Sequence, residues 1–252
     1  MVSSLSCLTK IIRRFVMKNE KTRDKYLSVL TNFGCHYECP YCIVKNCGIG
    51  IPKTTVAGLQ RLEEAIKEYN CNWVSISGGG DPFYRLAEHI DWWNEFFDIV
   101  YGVEGIQTEL HTSYLSDSFD DDASPFLPFQ RVVYHCRNIA DLFHIKRYGS
   151  QIVRVVYVVT ETATEAKIND IAAIVRHHPE IDELSFRQMV DSNYDATHYC
   201  EEYLRAGHKK DWYYIEQADY NLYYAENEVT CRYEDYRSEN LTVAGNEDFR
   251  KE

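Results

Sequence analysis

Three closely spaced cysteines are the residues of this sequence whose types and spacing point first to chemistry. Cys35, Cys39 and Cys42 follow the apolar run YLSVL in a C-x3-C-x2-C pattern. Soft thiolates select zinc or iron–sulfur clusters, and a reducing compartment keeps cysteines for metals or reactivity rather than for disulfides. Structural zinc takes four ligands whereas a catalytic centre leaves a position open, so three cysteines fit an open centre. Zinc would need Cys47 or His36 as the fourth ligand.

A family resemblance rests on two segments. LTNFGCHYECPYC at 30–42 is similar to the cluster-binding signature of the radical S-adenosylmethionine (radical SAM) enzymes, and VSISGGGDPF at 74–83 resembles that family's Gly-Gly-Glu segment. The resemblance implies that the three cysteines hold a [4Fe–4S] cluster, whose open iron binds S-adenosylmethionine through its amino and carboxylate groups. It also implies that Tyr41 packs against the adenine. The second segment would hold the methionyl ammonium, with Asp81 where Glu is usual.

Glycines make that second segment suited to a ligand. A side chain at Gly78, Gly79 or Gly80 would block close approach of a ligand to the backbone, so we expect these residues, with Ser77, to contact the cofactor. The other candidates end later strands, where the family contacts ribose, carboxylate or substrate. Cofactor contacts are expected of Thr112, Arg137, Thr160 and Gln188, and catalytic roles of His135, Cys136 and Arg187.

Ordinary structural roles are the alternatives for the three catalytic candidates. His135 is equally expected as a hydrogen-bonded core histidine, and Cys136, a candidate hydrogen donor, as a small buried thiol. Arg187 either pairs with a carboxylate such as Asp191 or Glu109, or helps Arg137 and His135 to bind a compact anionic substrate.

Alternating strand and helix patterns must position these residues. Apolar and β-branched runs predict strands at 26–32, 73–77, 106–112, 131–136, 152–159 and 183–189. Helical stripes predict helices between them, and Thr162 with Glu165 forms a capping-box pattern before the helix that ends near Pro179. Such alternation favours an α/β fold with a parallel sheet, open or barrel-shaped, whose chemistry collects at the carboxyl ends of the strands. The resemblance favours a partial (β/α)6 TIM-like barrel over 25–190.

The flanking segments have other characters. Residues 1–24 are expected to form a leader helix docked on the body. The stretch 113–130 is acidic and proline-containing, which predicts a loop or lid. The Tyr-rich appendix at 191–252 is expected to cover an apolar edge of the barrel, with a helix in ATHYCEEYLRAG and a hairpin in EVTCRYEDYRSENLTVAG.

Charge and hydropathy narrow the classes of function. A net charge of −12 argues against a surface that follows a long nucleic-acid duplex. The N-terminal segment fits neither a signal peptide nor a membrane span, so we expect a cytoplasmic protein without a membrane partner.

The resemblance implies reductive cleavage of S-adenosylmethionine and hydrogen abstraction from a substrate. We expect a small metabolite, nucleoside or nucleotide as substrate, and a flavodoxin or ferredoxin as electron donor. The alternatives are an activase of a glycyl-radical protein and, in another class, a zinc-stabilised binding module without catalysis.

Overall fold

The structure, a computed structural model, describes residues 24–115, 125–191, 193, 195–216 and 222–237. The expected leader helix, except for residue 24, lies outside these ranges, as does the acidic part of the predicted lid at 116–124.

One sheet organises the described part of the chain, and nine strands belong to it there. Its strands are β1 (Tyr26–Thr31), β2 (Trp73–Gly78), β3 (Gln107–Thr112), β4 (Arg131–Cys136), β5 (Ile152–Val159), β6 (Glu183–Gln188), β7 (Tyr213–Ile215), β8 (Leu222–Ala225) and β9 (Glu228–Thr230). Their order is β7-β6-β5-β4-β3-β2-β1-β8-β9, and every neighbouring pair is parallel except β8 with β9. The α/β class and all six predicted strands are confirmed. Because β1 to β6 are neighbours in sequence order, the sheet lacks the reversal that defines a doubly wound fold in this part.

Helices connect these strands in the described ranges. They are α1 (Ile43–Asn46), α2 (Leu62–Glu68), α3 (Ile90–Gly102), α4 (Glu165–His177) and α5 (Glu201–Gly207), with 3-10 turns at Val56–Leu59, Leu86–His89, Ile139–His144 and Tyr233–Tyr236. Among them, none combines the length and the apolar character that crossing a bilayer requires.

The cap of α4 differs from the prediction. Thr164 lies in extended backbone just before the helix, and its hydroxyl accepts a hydrogen bond from the backbone N–H of Lys167. The hydroxyl of Thr162, which was predicted to cap this helix, shares a hydrogen bond with Thr160 instead. The capping box predicted from Thr162 and Glu165 is therefore wrong by two residues.

The two faces of the sheet have opposite characters because side chains alternate along each strand. On one face, apolar side chains from β1 to β6 pack with α2, α3 and α4 in the main core, among them Leu27, Val74, Leu110, Val132, Val155 and Phe186. The residues between them point to the other face, which carries Glu109, Arg131, Arg154 and Glu183 in one network of ion pairs. The fold thereby places a polar surface opposite the helices.

The C-terminal segment extends the sheet at both edges. β7 pairs with β6, and β8 pairs with β1. The predicted helix in ATHYCEEYLRAG is confirmed over its second half, as α5. The hairpin predicted over 228–245 is tested only in part, because 238–245 lies outside the described residues. β8 and β9 form a hairpin around Glu226 and Asn227, whose φ angles of 47° and 69° suit a tight two-residue turn. Residues of the predicted hairpin at 233–236 form a 3-10 turn instead.

Candidate functional site

A cavity of about 480 Å³ opens on the polar face of the sheet. Its lining includes side chains from β1 to β8 and from the loops after β1, β2, β3 and β4. The predicted site residues that line it are Cys35, Cys39, Tyr41, Cys42, Ser77, Gly78, Gly79, Gly80, Asp81, Thr112, His135, Cys136, Arg137, Arg187 and Gln188. Thr160 is the predicted residue that the lining does not include, and its hydroxyl bonds to Thr162. Candidates separated by more than 150 positions in sequence thus surround one space.

The cysteine loop, residues 32–48, carries three partly buried free thiols. Gly34, with a φ of 111°, turns the chain at the end of β1, in a region that only glycine adopts readily. The sulfur of Cys35 accepts a hydrogen bond of 3.5 Å from the backbone N–H of Tyr37, and the backbone N–H of Cys42 donates to the carbonyl of Cys39. Cys42 then begins α1 as its N-cap.

The pKa values of two of these thiols indicate what kind of group the loop can bind. The pKa of Cys35 is raised to about 11, mainly by burial; the hydrogen bond from Tyr37 lowers it, whereas the nearby carboxylate of Asp81 and the other two thiols act in the same direction as burial. Burial raises the pKa of Cys39 as well. At neutral pH these thiols stay protonated unless a cationic centre stabilises the thiolates. The donor set therefore fits a metal centre that supplies positive charge.

Of the other two ligand candidates near this loop, Cys47 bonds elsewhere, whereas the two buried ring nitrogens of His36 have no hydrogen-bond partner among the described residues. Cys47 is buried in a small second core, and its thiol donates to the carbonyl oxygen of Asp191 at 3.3 Å. The ring of His36 lies against the rings of Tyr37 and Tyr114, at 3.9 and 4.0 Å between centroids. Among the described residues, no group of three or more His, Cys, Asp or Glu side chains is placed to hold a metal ion. The assignment of Cys35, Cys39 and Cys42 as ligands stays a proposal.

The glycine loop, residues 78–81, docks directly on the cysteine loop and on β1. The backbone N–H groups of Gly79 and Asp81 donate to the carbonyls of Thr31 and Gly34, at 2.7 and 2.9 Å. A Cβ atom at Gly78 would lie 2.3 Å from the carbonyl oxygen of Thr31, and one at Gly80 would lie 2.0 Å from that of Gly34.

Glycine at these two positions is thus required by contact between two backbone segments. We expected a ligand to require glycine at these positions. In the structure, the close contact between the two loops requires it. The same contacts fix the position of the glycine loop relative to the three cysteines.

The side chain of Asp81 holds the glycine loop in place through hydrogen bonds. Its buried carboxylate accepts hydrogen bonds from the backbone N–H groups of Phe83 and Ser113 and from the hydroxyls of Thr112 and Ser113, at 2.6 to 3.1 Å. These four donors satisfy the roughly four lone pairs that a carboxylate offers. Asp81 and Thr112 therefore tie the glycine loop to the end of β3. Asp81 therefore has no free lone pair for the direct contact with an ammonium group that we expected.

A chain of hydrogen bonds on the floor of the cavity includes Glu109 and His111, which were not predicted as site residues. The carboxylate of Glu109 lies 2.9 Å from Nη1 of Arg131 and 2.9 Å from Nε2 of His111. Nδ1 of His111 lies 3.2 Å from Nε2 of His135. The spacing E-x-H in β3 carried the signal, since two polar residues on the same face of a buried strand indicate a polar interior.

Arg187 is the next-to-last residue of β6, and it lines the cavity beside this chain. No hydrogen bond or ion pair joins its guanidinium to any residue that the structure describes. The two carboxylates considered as its partners are occupied: Glu109 pairs with Arg131, and Asp191 accepts from the backbone N–H groups at 193 and 195. Because Glu183 pairs with Arg154, the cavity floor carries one positive charge in excess.

Arg137 occupies a different position, at the mouth. Its guanidinium lies 3.6 Å from the centre of the Tyr37 ring in the cysteine loop, a cation–π contact. This contact joins the end of β4 to the cysteine loop. Arg137 and Arg187 are therefore separate cationic positions of the same cavity.

Two predicted residues line the cavity although their side-chain groups are placed for structural roles. The thiol of Cys136 lies in the main core near Tyr157, and burial raises its pKa to about 12. This position favours the alternative given for Cys136, a buried structural thiol, over a hydrogen donor. The carboxamide of Gln188 donates a hydrogen bond to the carboxylate of Glu201 in α5. Gln188 thus connects β6 to the C-terminal segment.

Comparison with known proteins gives matches among solved structures. The chain matches no model of a protein family, and no curated protein matches it. Among solved structures it is similar to SuiB of Streptococcus suis bound to the precursor peptide SuiA, at 15% identity and a TM-score of 0.45. It is also similar to SuiB bound to S-adenosylmethionine, at 14% identity and a TM-score of 0.41. The likeness covers 71% and 72% of this chain but only 44% of each SuiB chain, and at these values it establishes neither family nor activity.

Proposed function

We propose that this chain is a radical SAM enzyme that acts on a compact anionic substrate. The observation that carries the proposal is the docking of the glycine loop on the cysteine loop, at the mouth of a cavity with a polar floor. Cys35, Cys39 and Cys42 would hold a [4Fe–4S] cluster. When bound, the cluster and S-adenosylmethionine supply one-electron cleavage of a sulfonium bond and a carbon-centred radical, which no amino-acid side chain supplies unaided.

The residues around the cysteines have binding and orienting roles in this proposal. Tyr41 lies against Cys39 and would cover the adenine. The backbone at Ser77, Gly78 and Gly79 would bind the methionyl group, and Asp81 keeps the glycine loop in place. We assign Thr112 a supporting role and Arg137 a contact with the cofactor carboxylate, because guanidinium pairs with carboxylate in a bidentate manner.

The shape of the cavity supports a small substrate over a protein partner. Side chains from β7 and from β8, which the C-terminal segment adds, line the cavity wall together with the strands of the parallel core. A surface of one sheet that surrounds a single cavity is concave, which favours the partial barrel predicted over 25–190. An activase would instead need an open face for its protein partner. The electron would come from a reduced donor such as flavodoxin or ferredoxin.

Metal content and cofactor cleavage test the proposal. Protein purified or reconstituted without oxygen is expected to be brown, with about four iron and four sulfide ions per chain. With S-adenosylmethionine and reduced flavodoxin or dithionite, it is expected to release 5′-deoxyadenosine. A colourless protein with stoichiometric zinc after the same treatment would contradict the proposal and support a zinc-stabilised binding module.

Arg187→Ala tests the anionic substrate. A panel of carboxylates and nucleotides identifies a compound that accelerates 5′-deoxyadenosine release. We expect the variant to lose that acceleration by roughly 30-fold or more, because truncating one partner of a desolvated charge pair costs about 2 kcal/mol or more. Slow release without substrate should persist. Arg176→Ala is the control, since Arg176 lies on α4 in an exposed pair with Asp211. Equal loss of both reactions in Arg187→Ala would assign Arg187 to the cofactor or the fold.

A further inference from the structure

Three polar side chains form a continuous chain from the interior of the sheet to the cavity. Glu109 is 4% exposed, and its carboxylate lies 2.9 Å from Nε2 of His111. His111, on the same face of β3, reaches His135 on β4 through its other nitrogen, at 3.2 Å. His111 and His135 both line the cavity, and Nδ1 of His135 has no hydrogen-bond partner among the described residues.

The protonation of this chain follows from Glu109. Burial alone would raise the pKa of Glu109. The hydrogen bonds from His111 and Arg131, the charge of Arg131 and the charge that His111 carries when it is protonated lower it to about 2. An ionised carboxylate only accepts hydrogen bonds, so Nε2 of His111 carries a proton. In neutral His111, Nδ1 is then an acceptor, and Nε2 of His135 must be the donor. The free Nδ1 of His135 therefore carries a lone pair at the cavity.

The surroundings keep His135 neutral. Burial holds its pKa well below the ordinary value for histidine. The charge of Arg187 acts in the same direction, as would a proton added to neutral His111, against the carboxylate of Glu109. The charged and titratable groups around the chain come from several strands. They are Tyr26 on β1, Arg131 on β4, Arg154 on β5, and Glu183 and Arg187 on β6.

We propose that Glu109, His111 and His135 form a proton-transfer chain that exchanges a proton with an O–H or N–H group of the substrate at Nδ1 of His135. The inference rests on the proposed function only for the presence of a substrate in this cavity. A substrate proton moves to Nδ1 of His135, and the Nε2 proton of His135 moves to Nδ1 of His111. The electron pair of the broken bond stays on the substrate, beside Arg187.

The charge distribution favours this transfer. The positive charge comes to rest on His111, between the carboxylate of Glu109 and the now neutral His135. It is therefore moved one residue away from the substrate and placed next to a fixed negative charge. The reverse sequence returns a proton to the substrate. His135 touches the substrate, whereas Glu109 fixes the tautomer of His111 and is a positioning residue.

Nitrogen NMR of the full-length protein with ¹⁵N-labelled histidine tests the chain without cluster or cofactor. His111→Gln and His135→Gln assign the signals. At neutral pH we expect Nε2–H and unprotonated Nδ1 in both histidines of the wild-type protein, and a mixture of His111 tautomers in Glu109→Gln. An Nδ1–H tautomer of neutral His111 or His135 would overturn the proposal. This readout is independent of the proposed function, because it requires neither iron nor S-adenosylmethionine.

Turnover provides the second arm, with the compound that accelerates 5′-deoxyadenosine release. His135→Gln is expected to reduce product formation by roughly 100-fold, a common effect of losing a general acid or base. A wild-type protein that releases no 5′-deoxyadenosine under the same conditions would instead mark a failure of the proposed function. Product formation within about threefold of wild type in a folded His135→Gln protein would overturn the proposal.

Discussion

Replacing Cys39 with alanine is expected to remove the iron of the anaerobically purified protein and its cleavage of S-adenosylmethionine together. Cys39 lies in the middle of the cysteine loop, and burial raises the pKa of its thiol although Arg137 and Lys45 lower it, so the thiolate needs a further cationic centre. Replacing a residue that hydrogen-bonds to a metal ligand lowers metal affinity or activity by about 10- to 100-fold. Loss of the ligand itself should therefore lower them by more than about 100-fold. Iron content and 5′-deoxyadenosine release measure the effect.

Cys47→Ala is the matched control, because Cys47 belongs to the same loop. Its thiol is buried and donates to Asp191, so the variant should keep its iron and lose only about 1 to 2 kcal/mol of unfolding free energy. Cleavage that survives in Cys39→Ala would refute the ligand assignment. Loss of metal from both variants would indicate a four-cysteine site and would return zinc to consideration.

Arg131→Met is expected to lower the free energy of unfolding by about 3 to 5 kcal/mol, the largest stability effect that we anticipate for one substitution on the polar face. Arg131 and Glu109 are both buried and lie 2.9 Å apart. Removing the guanidinium leaves the Glu109 carboxylate buried with only His111 as its partner, and an uncompensated buried charge is strongly destabilising. Denaturation by urea measures the change.

A surface pair provides the comparison for this prediction. Lys67 and Glu63 form an exposed ion pair on α2, and Lys67→Met should change the unfolding free energy by less than about 0.5 kcal/mol. In the Arg131→Met background, Glu109→Gln is expected to restore part of the loss, since it removes the unpaired charge. A decrease below about 1 kcal/mol in Arg131→Met would show that water or another group compensates Glu109.

Local sequence signals determined the strands and the place of the cysteines. The six predicted strands were found because period-two and β-branched patterns report burial of a strand directly, without reference to distant residues. Parallel strands then require that their carboxyl ends share one edge. For that reason Cys35 after β1, Gly78 at the end of β2 and Arg187 at the end of β6 could be predicted to lie together, which the structure confirms.

Helix caps and turns were predicted less accurately than strands, because they depend on backbone angles. The capping box at Thr162 was placed wrongly because threonine at 162 and threonine at 164 offer the same hydroxyl, and only the backbone angles decide which one faces the helix. The hairpin of β8 and β9 was not predicted, because its turn residues Glu226 and Asn227 adopt left-handed φ angles without a glycine. In both cases the composition fitted more than one geometry.

The sequence by itself determined the α/β architecture, the three-cysteine loop and the glycine loop, because each depends on residues that are neighbours in the chain. Only the tertiary structure decided what the polar side chains bond to. It gave the carboxylate of Asp81 to Thr112 and Ser113 and joined Glu109 to His135 through His111. Among the described residues, it left Arg187 without a carboxylate partner. The physical reason is that a hydrogen bond or an ion pair depends on distances of about 3 Å between strands. Such distances are set by strand register and side-chain direction, which no local pattern encodes.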